Sequence, residues 1–293
     1  MKELVVLSGK GDTGKTTLVA SLAGALQRKI IVDCDVDAPD LPVLLEPKTG
    51  RVFPFTGGKK ARIDQKVCNG CGECLRACRF GAILENNGLF EVDPIRCEGC
   101  GVCKLVCPSN AVTLEDQRNG EYIVANSRFG SFVYGALDPG EENSGKLVSL
   151  VKKAARGVAE QKGLGFMLVD GPPGVGCPAI SSLSGASYVI IVAEPTPSGL
   201  HDACRLFSLV ARCELPAGLV VNKACLSLGT SEALESKARD FGLETFGRLR
   251  YDNQAILALN DRKTILEFTK TGIGEDMLRL ANKVRNAFYE QGA

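Results

Sequence analysis

Gly9-Lys10-Gly11-Asp12-Thr13-Gly14-Lys15-Thr16 fits G-x-x-x-x-G-K-[ST]. It follows the apolar run Leu4-Val5-Val6-Leu7, read as a buried strand over residues 3–9. It opens residues 15–26, KTTLVASLAGAL, read as a helix. A strand before the motif and a helix after it give the match its meaning. Consecutive backbone N–H groups and the positive end of a helix then surround phosphate. Lys15 would reach the β- and γ-phosphates of a nucleoside triphosphate such as ATP, and Thr16 would ligate Mg²⁺. Gly9, Gly11, Asp12, Thr13, Gly14 and Thr17 would line the phosphates.

Outward from the loop, Ile30-Ile31-Val32-Asp33 reads as a second strand. Residues 166–170 (FMLVD), 188–193 (YVIIVA) and 218–222 (GLVVN) read as further strands, with helices over 144–161, 199–212, 231–241 and 273–289. Continuous apolar strands alternating with helices predict an α/β fold: a doubly wound, mostly parallel sheet covered on both faces. From residue 59 to 116 this pattern breaks into short, Cys-rich, Gly-punctuated sequence. Residues 59–116 are therefore expected to form an inserted small α+β domain, and 1–58 with 117–293 the α/β domain.

The insert repeats itself. Cys68, Cys71, Cys74 and Cys78 follow C-x2-C-x2-C-x3-C, and Cys97, Cys100, Cys103 and Cys107 repeat it, with Pro108 after the last. This is the bacterial ferredoxin run, in which three thiolates hold one [4Fe–4S] cluster and the fourth crosses to the other. The expected ligand sets are Cys68, Cys71, Cys74 and Cys107 for one cluster, and Cys97, Cys100, Cys103 and Cys78 for the second. Structural zinc is the competing reading, but it uses two pairs rather than two quartets. Arg79 stands where the repeat would place a proline.

Composition bounds the rest. The chain has 293 residues, 45% apolar and 24% charged, with a net charge of +1, so no broad nucleic-acid footprint is expected. A single His, His201, argues against a His-based metal site or triad. Thirteen cysteines without a secretion signal point to a reducing, cytoplasmic setting, where clustered thiols mean metal or catalysis. No run approaches the roughly 18 apolar residues of a membrane span.

A second lysine inside the loop, Lys10, resembles the deviant loop of the MinD/ParA/Mrp superfamily of P-loop ATPases, which includes the nitrogenase iron protein. The resemblance covers nearly all of the chain outside the insert. It implies that Lys10 crosses to the nucleotide of a partner subunit in an ATP-sandwich dimer, either a homodimer or a heterodimer with a paralogue. It assigns Asp33 to Mg²⁺ support and Asp35 to the attacking water, leaving Asp37 and Asp40 as capping residues. Val169-Asp170-Gly171-Pro172-Pro173-Gly174 is similar to the family's second switch, with Asp170 on the Mg²⁺ shell and Gly174 sensing the γ-phosphate. Asn222 matches the position that reads adenine. Asp12 departs from the family, which usually has glycine there. Cys177 lies at the offset of the iron protein's bridging cysteine, yet residues 138–145 lack the second cysteine such a cluster needs. Cys34, Cys204, Cys213 and Cys225 read as core or surface thiols, and the last helix as packed on the sheet rather than on a membrane.

The leading expectation is an ATP-hydrolysing protein that couples nucleotide-driven dimer switching to electron transfer through two [4Fe–4S] clusters, with a redox or metallocluster partner. The alternatives are an iron–sulfur or metal-cofactor assembly ATPase, and a redox-sensing positioning or scaffold ATPase.

Overall fold

The computed structural model describes residues 1–288; the predicted helix 273–289 ends one residue outside them. The strands are β1 (Lys2–Ser8), β2 (Lys29–Asp33), β3 (Arg51–Ile63), β4 (Ile83–Asn86), β5 (Leu89–Val92), β6 (Val112–Ser127), β7 (Gly130–Leu137), β8 (Phe166–Pro173), β9 (Tyr188–Ala193), β10 (Ala217–Val221) and β11 (Glu244–Arg248). The helices are α1 (Lys15–Ala25), α2 (Leu41–Leu45), α3 (Glu73–Ala77), α4 (Val102–Leu105), α5 (Ser144–Gln161), α6 (Cys177–Leu183), α7 (Pro197–Arg212), α8 (Leu228–Asp240), α9 (Gln254–Asn260), α10 (Ile265–Phe268) and α11 (Ile273–Phe288).

Among the described residues the larger sheet runs β11-β10-β9-β1-β8-β2-β7-β6-β3. The β1 strand is parallel to both neighbours, β8 and β9. The pairs β2–β8, β2–β7, β9–β10 and β10–β11 are parallel as well. The apolar residues of β1, β2, β9 and β10 are almost completely buried, as strands covered on both faces must be. Chain order reverses beside β1, so its C-terminal end lies at the crevice where α/β sheets bind ligands.

Contacts divide the chain into two units: residues 1–53, 122–136 and from 144 onward, and residues 54–121 with 137–143. The strands β3 and β6 contribute residues to both. In the first unit, α1 buries Leu18, Val19, Leu22 and Ala23 in the main core. The amphipathic α11 adds Ile273, Met277, Leu280, Ala281 and Val284 to that same core. Its apolar face is thus occupied by protein, as expected for a closing helix. Thr196 and Ser227 cap α7 and α8 through their hydroxyls, which sets both starts two to three residues earlier than periodicity suggested.

The second unit has a β4–β5 antiparallel pair, the short α3 and α4, and a core of Ala61, Ile63, Ala82, Ile83, Phe90 and Val112 with Cys74 and Cys97. Its sequence repeat is a structural one: Gly72 and Gly101 occupy the N-caps of α3 and α4, both left-handed. Gly99 has no substitute, because φ is +60° and a Cβ would lie 1.9 Å from the Lys59 carbonyl oxygen.

Candidate nucleotide and metal sites

The loop leaves β1 at Ser8, whose hydroxyl donates to the Lys10 carbonyl at 2.9 Å. Gly14 takes φ +84° at the N-cap of α1, and a Cβ there would meet the Asn222 amide at 2.3 Å. Only glycine permits both the turn and this approach. Asp12 also sits left-handed, at φ 60°, with its side chain exposed. Gly11 is exposed beside it, and the Thr17 carbonyl accepts from Ser21 at 2.9 Å.

Lys15 is buried and ringed by carboxylates. Its Nζ lies 2.6 Å from Asp170 Oδ1 and 3.7 Å from Asp35 Oδ2, and 3.5 Å from the Thr16 hydroxyl. Burial works against its charge, but Asp170, Asp33 and Asp35 outweigh it and raise the ammonium pKa. Asp33 is fully buried. It accepts from the Asp35 N–H at 2.9 Å and the Leu41 N–H at 3.3 Å. Burial first, then the neighbouring Asp170, holds its carboxyl well above the ordinary range. Asp33 therefore closes the loop after β2 on itself. Asp40 stands at the N-cap of α2 with no side-chain cap bond, and Asp37 is exposed.

Asp170 Oδ2 is buried without a hydrogen-bond partner, and so is the Thr13 hydroxyl. An orphaned carboxylate oxygen is costly unless something occupies it. With Thr16 and Asp33 it makes a hard-oxygen donor set. Such a set suits Mg²⁺, which keeps several waters and takes one or two carboxylates beside substrate phosphates. Among the described residues no three His, Cys, Asp or Glu side chains converge tightly enough to hold a lone metal ion.

Two predicted contacts have other partners in this state. The Asn222 amide donates to the Thr13 carbonyl at 2.8 Å, and its Oδ1 accepts from the Lys223 N–H. It braces the loop instead of standing open to a base. The Gly174 N–H, at φ +81°, donates to the Ser8 carbonyl at 2.8 Å rather than pointing free toward a phosphate. Lys10, on the loop's outer side, pairs with Glu194 at 3.6 Å. Glu194 also binds Lys223. Motif reading missed Glu194 and Lys223. An acid directly after an apolar strand, at the ligand edge of a parallel sheet, was the available signal.

Asp35 carries a pH consequence. Burial, partly offset by Lys15, pushes its carboxyl up to about 6. That lies above the unfolded value of about 3.9, so folding takes up a proton between the two. The resulting stability is full below about pH 4 and is lost as pH rises through 6. Asp35→Asn should flatten this slope and raise stability at pH 7 by about 1–3 kcal/mol. Denaturant melts of both proteins from pH 4 to 8 would check it; an unchanged slope would assign the titration elsewhere.

In the second unit the thiols group. Cys78, Cys97, Cys100 and Cys103 line one small cavity, of about 20 Å³, with Ala61, Phe80, Ile83, Val92 and Val102 among the walls. Burial and then the charges of Cys97 and Cys100 raise the Cys103 thiol. Burial raises Cys74 likewise, with Cys68 and Cys107 as the charged neighbours. Cys71 is exposed. Backbone N–H groups reach three sulfurs: Ala61 to Cys97 at 3.4 Å, Ala82 to Cys78 at 3.4 Å and Ala111 to Cys107 at 3.3 Å. The last two are the same contact in each repeat. Burial opposes it, yet the Ser109 hydroxyl and the N–H groups of Ala111, Ser109 and Val112 lower the Cys107 pKa. Outside this unit Cys34 is buried, and Cys177, Cys213 and Cys225 are exposed. Cys177 faces Gly145 at the start of α6. His201 is exposed, 3.2 Å from Asp202. No described helix is long and apolar enough to cross a membrane.

Comparison with known proteins gives four matches. Residues 4–265 match the family described as the CobQ/CobB/MinD/ParA nucleotide binding domain. In Methanocaldococcus jannaschii, protein MJ0578 is 33% identical over 75% of this chain and 78% of its own. Protein MJ0579 of the same organism is 28% identical over 78% and 82%. The structure of the septum site-determining protein MinD from Pyrococcus horikoshii, complexed with Mg-ADP, superposes with a TM-score of 0.61 at 16% identity. It covers 99% of this chain and 98% of that one, and shows a shared fold.

Proposed function

The chain belongs to the CobQ/CobB/MinD/ParA nucleotide-binding family, and from that premise we propose that it is a cytoplasmic ATPase whose nucleotide switch governs electron transfer through two [4Fe–4S] clusters in its second unit. The observation that carries the ATPase half is Lys15 locked onto Asp170 while Asp170 Oδ2 has no partner. Family members hydrolyse nucleotides, and this arrangement suits a resting state of that reaction. Entering phosphates would draw Lys15 off Asp170. The Gly174 N–H would exchange the Ser8 carbonyl for the γ-phosphate, and loss of that phosphate would let the loop return. Asp35, ionised above about pH 6, can accept a hydrogen bond from the attacking water and align it with the γ-phosphorus. Mg²⁺ fits the site through Thr16, Asp170 and Asp33, and would neutralise charge on the phosphate oxygens. Lys10 would serve a second subunit, either another copy or a paralogue; the two relatives in one M. jannaschii organism favour considering both.

The cluster half rests on the cavity that brings Cys78 to Cys97, Cys100 and Cys103, and on the N–H donors to sulfur. A cube's ligands stand at its separate corners, wider than the set around a single ion, and N–H donors to sulfur tune such clusters. The repeated C-x2-C-x2-C-x3-C spacing in sequence and the thiol chemistry support that reading. When bound, the clusters would supply one-electron transfer. Without a second cysteine near Gly145, Cys177 is not assigned a cluster.

The test is anaerobic. Protein carrying about eight irons per chain, reduced and followed by EPR, should lose its signal to an acceptor faster with ATP than without. Transfer of iron to an apo-acceptor would favour the assembly role. ATP turnover with no effect on either would leave a positioning ATPase of the MinD kind.

A further inference from the structure

Lys10 is the loop residue that the sandwich reading sends to a partner, yet in this chain it is engaged at home. Its ammonium lies 3.6 Å from Glu194 Oε2, and its side chain is only 36% exposed. The Lys10 main chain is held by the Ser8 hydroxyl. Gly9 presses so closely on Asp202 that a Cβ would lie 2.6 Å from the Asp202 Cβ. Only the Lys10 side chain is left to swing. Glu194 itself is fixed: its carbonyl accepts from the Thr196 N–H at 2.8 Å, and its other carboxylate oxygen binds Lys223.

We propose that Glu194 is a positioning residue that stores Lys10 against its own chain and so sets the concentration at which ATP brings two chains together. This rests on the sandwich reading above. The geometry makes the hold weak and reversible. Lys10 is partly exposed and the 3.6 Å separation to the buried Glu194 is long for a charged hydrogen bond, so the pair is worth only about 0.2–1 kcal/mol. When Lys10 leaves, Lys223 still neutralises Glu194, so no buried carboxylate is stranded, which is the outcome that makes ion-pair rupture expensive. Lys223 thus lowers the cost of release.

The experiment is sedimentation velocity of the full chain with Mg²⁺ and a non-hydrolysable ATP analogue, across protein concentration. Glu194→Gln keeps shape and the Lys223 contact but removes the charge. Because each dimer releases two Lys10 side chains, it should lower the dimerisation midpoint by about 2- to 30-fold, with analogue affinity of the dilute monomer unchanged. Lys10→Ala should raise the midpoint strongly, and adding Glu194→Gln to it should then change nothing. An unchanged or higher midpoint in Glu194→Gln overturns the proposal, as does a gain that persists without Lys10. A wild-type chain that stays monomeric overturns the sandwich reading itself, and the storage role with it.

Discussion

Lys15→Met is expected to cut ATP turnover by at least roughly 10²–10³-fold, the scale for removing one donor from a developing phosphate charge. It should also expose what the lysine does for the fold. Asp33, Asp35 and Asp170 share this one buried cation. Stripping a partner from a buried ionic group costs about 3–5 kcal/mol when the remaining charge has no escape. Here it has one, since two of the three carboxyls are already shifted up. The stability loss should therefore be large at pH 8 and small near pH 5, where protonation replaces the missing ammonium. Denaturant melts at both values check this. A loss equal at the two pH values would mean that Lys15 is not the counter-charge of the cage.

The second large effect concerns the thiols. Cys97→Ala should reduce bound iron from about eight atoms to about four per chain, while Cys177→Ala leaves it unchanged. Iron and sulfide analysis of anaerobically reconstituted protein gives the count. Zinc without sulfide would replace the cluster reading by a structural one. The same variant should loosen the second unit, whose apolar core is small and includes the Cys97 and Cys74 side chains themselves. Small cores are usually stapled by metal or disulfide, and all thirteen cysteines are free thiols. Hydrogen exchange should quicken in β4 and β5 while β1 and β8 stay protected. Uniform protection in both units would overturn this.

Legibility followed the local physics. The strands β1, β2, β9 and β10 were readable because burial on both faces leaves unbroken apolar runs. The edge strand β11, ETFGR, has no such run. Neither do β3 and β6, whose exposed stretches alternate irregularly, and β7 is interrupted by glycines. Those strands are defined by their neighbours, which a single sequence does not display. The site divides the same way. Gly14, Lys15 and Thr16 belong to a contiguous motif. Their partners do not: Asp170 in the C-terminal half of β8, Asn222 after β10 and Glu194 after β9 meet the loop only because parallel strands bring their C-terminal ends together. Motif reading named Asp170 and Asn222, the latter for a base; in this structure the Asn222 amide holds the Thr13 carbonyl. Glu194 had no motif at all.

The carboxylate cage around Lys15 has a further consequence, in proton traffic. A nucleotide that arrives without metal brings negative charge to a place that already holds three acids and one cation. The cheapest response is for Asp35, whose carboxyl is already pushed up to about 6, to take up a proton from solution. Mg²⁺ arriving with the nucleotide makes that uptake unnecessary. Metal-free ADP should therefore bind with a heat that depends on the ionisation enthalpy of the buffer, and should bind more weakly as pH rises through 6, whereas Mg-ADP should show neither. The metal's contribution to affinity would then be smallest in acid and largest in base, and calorimetry in two buffers of unlike ionisation enthalpy would read the exchanged protons directly.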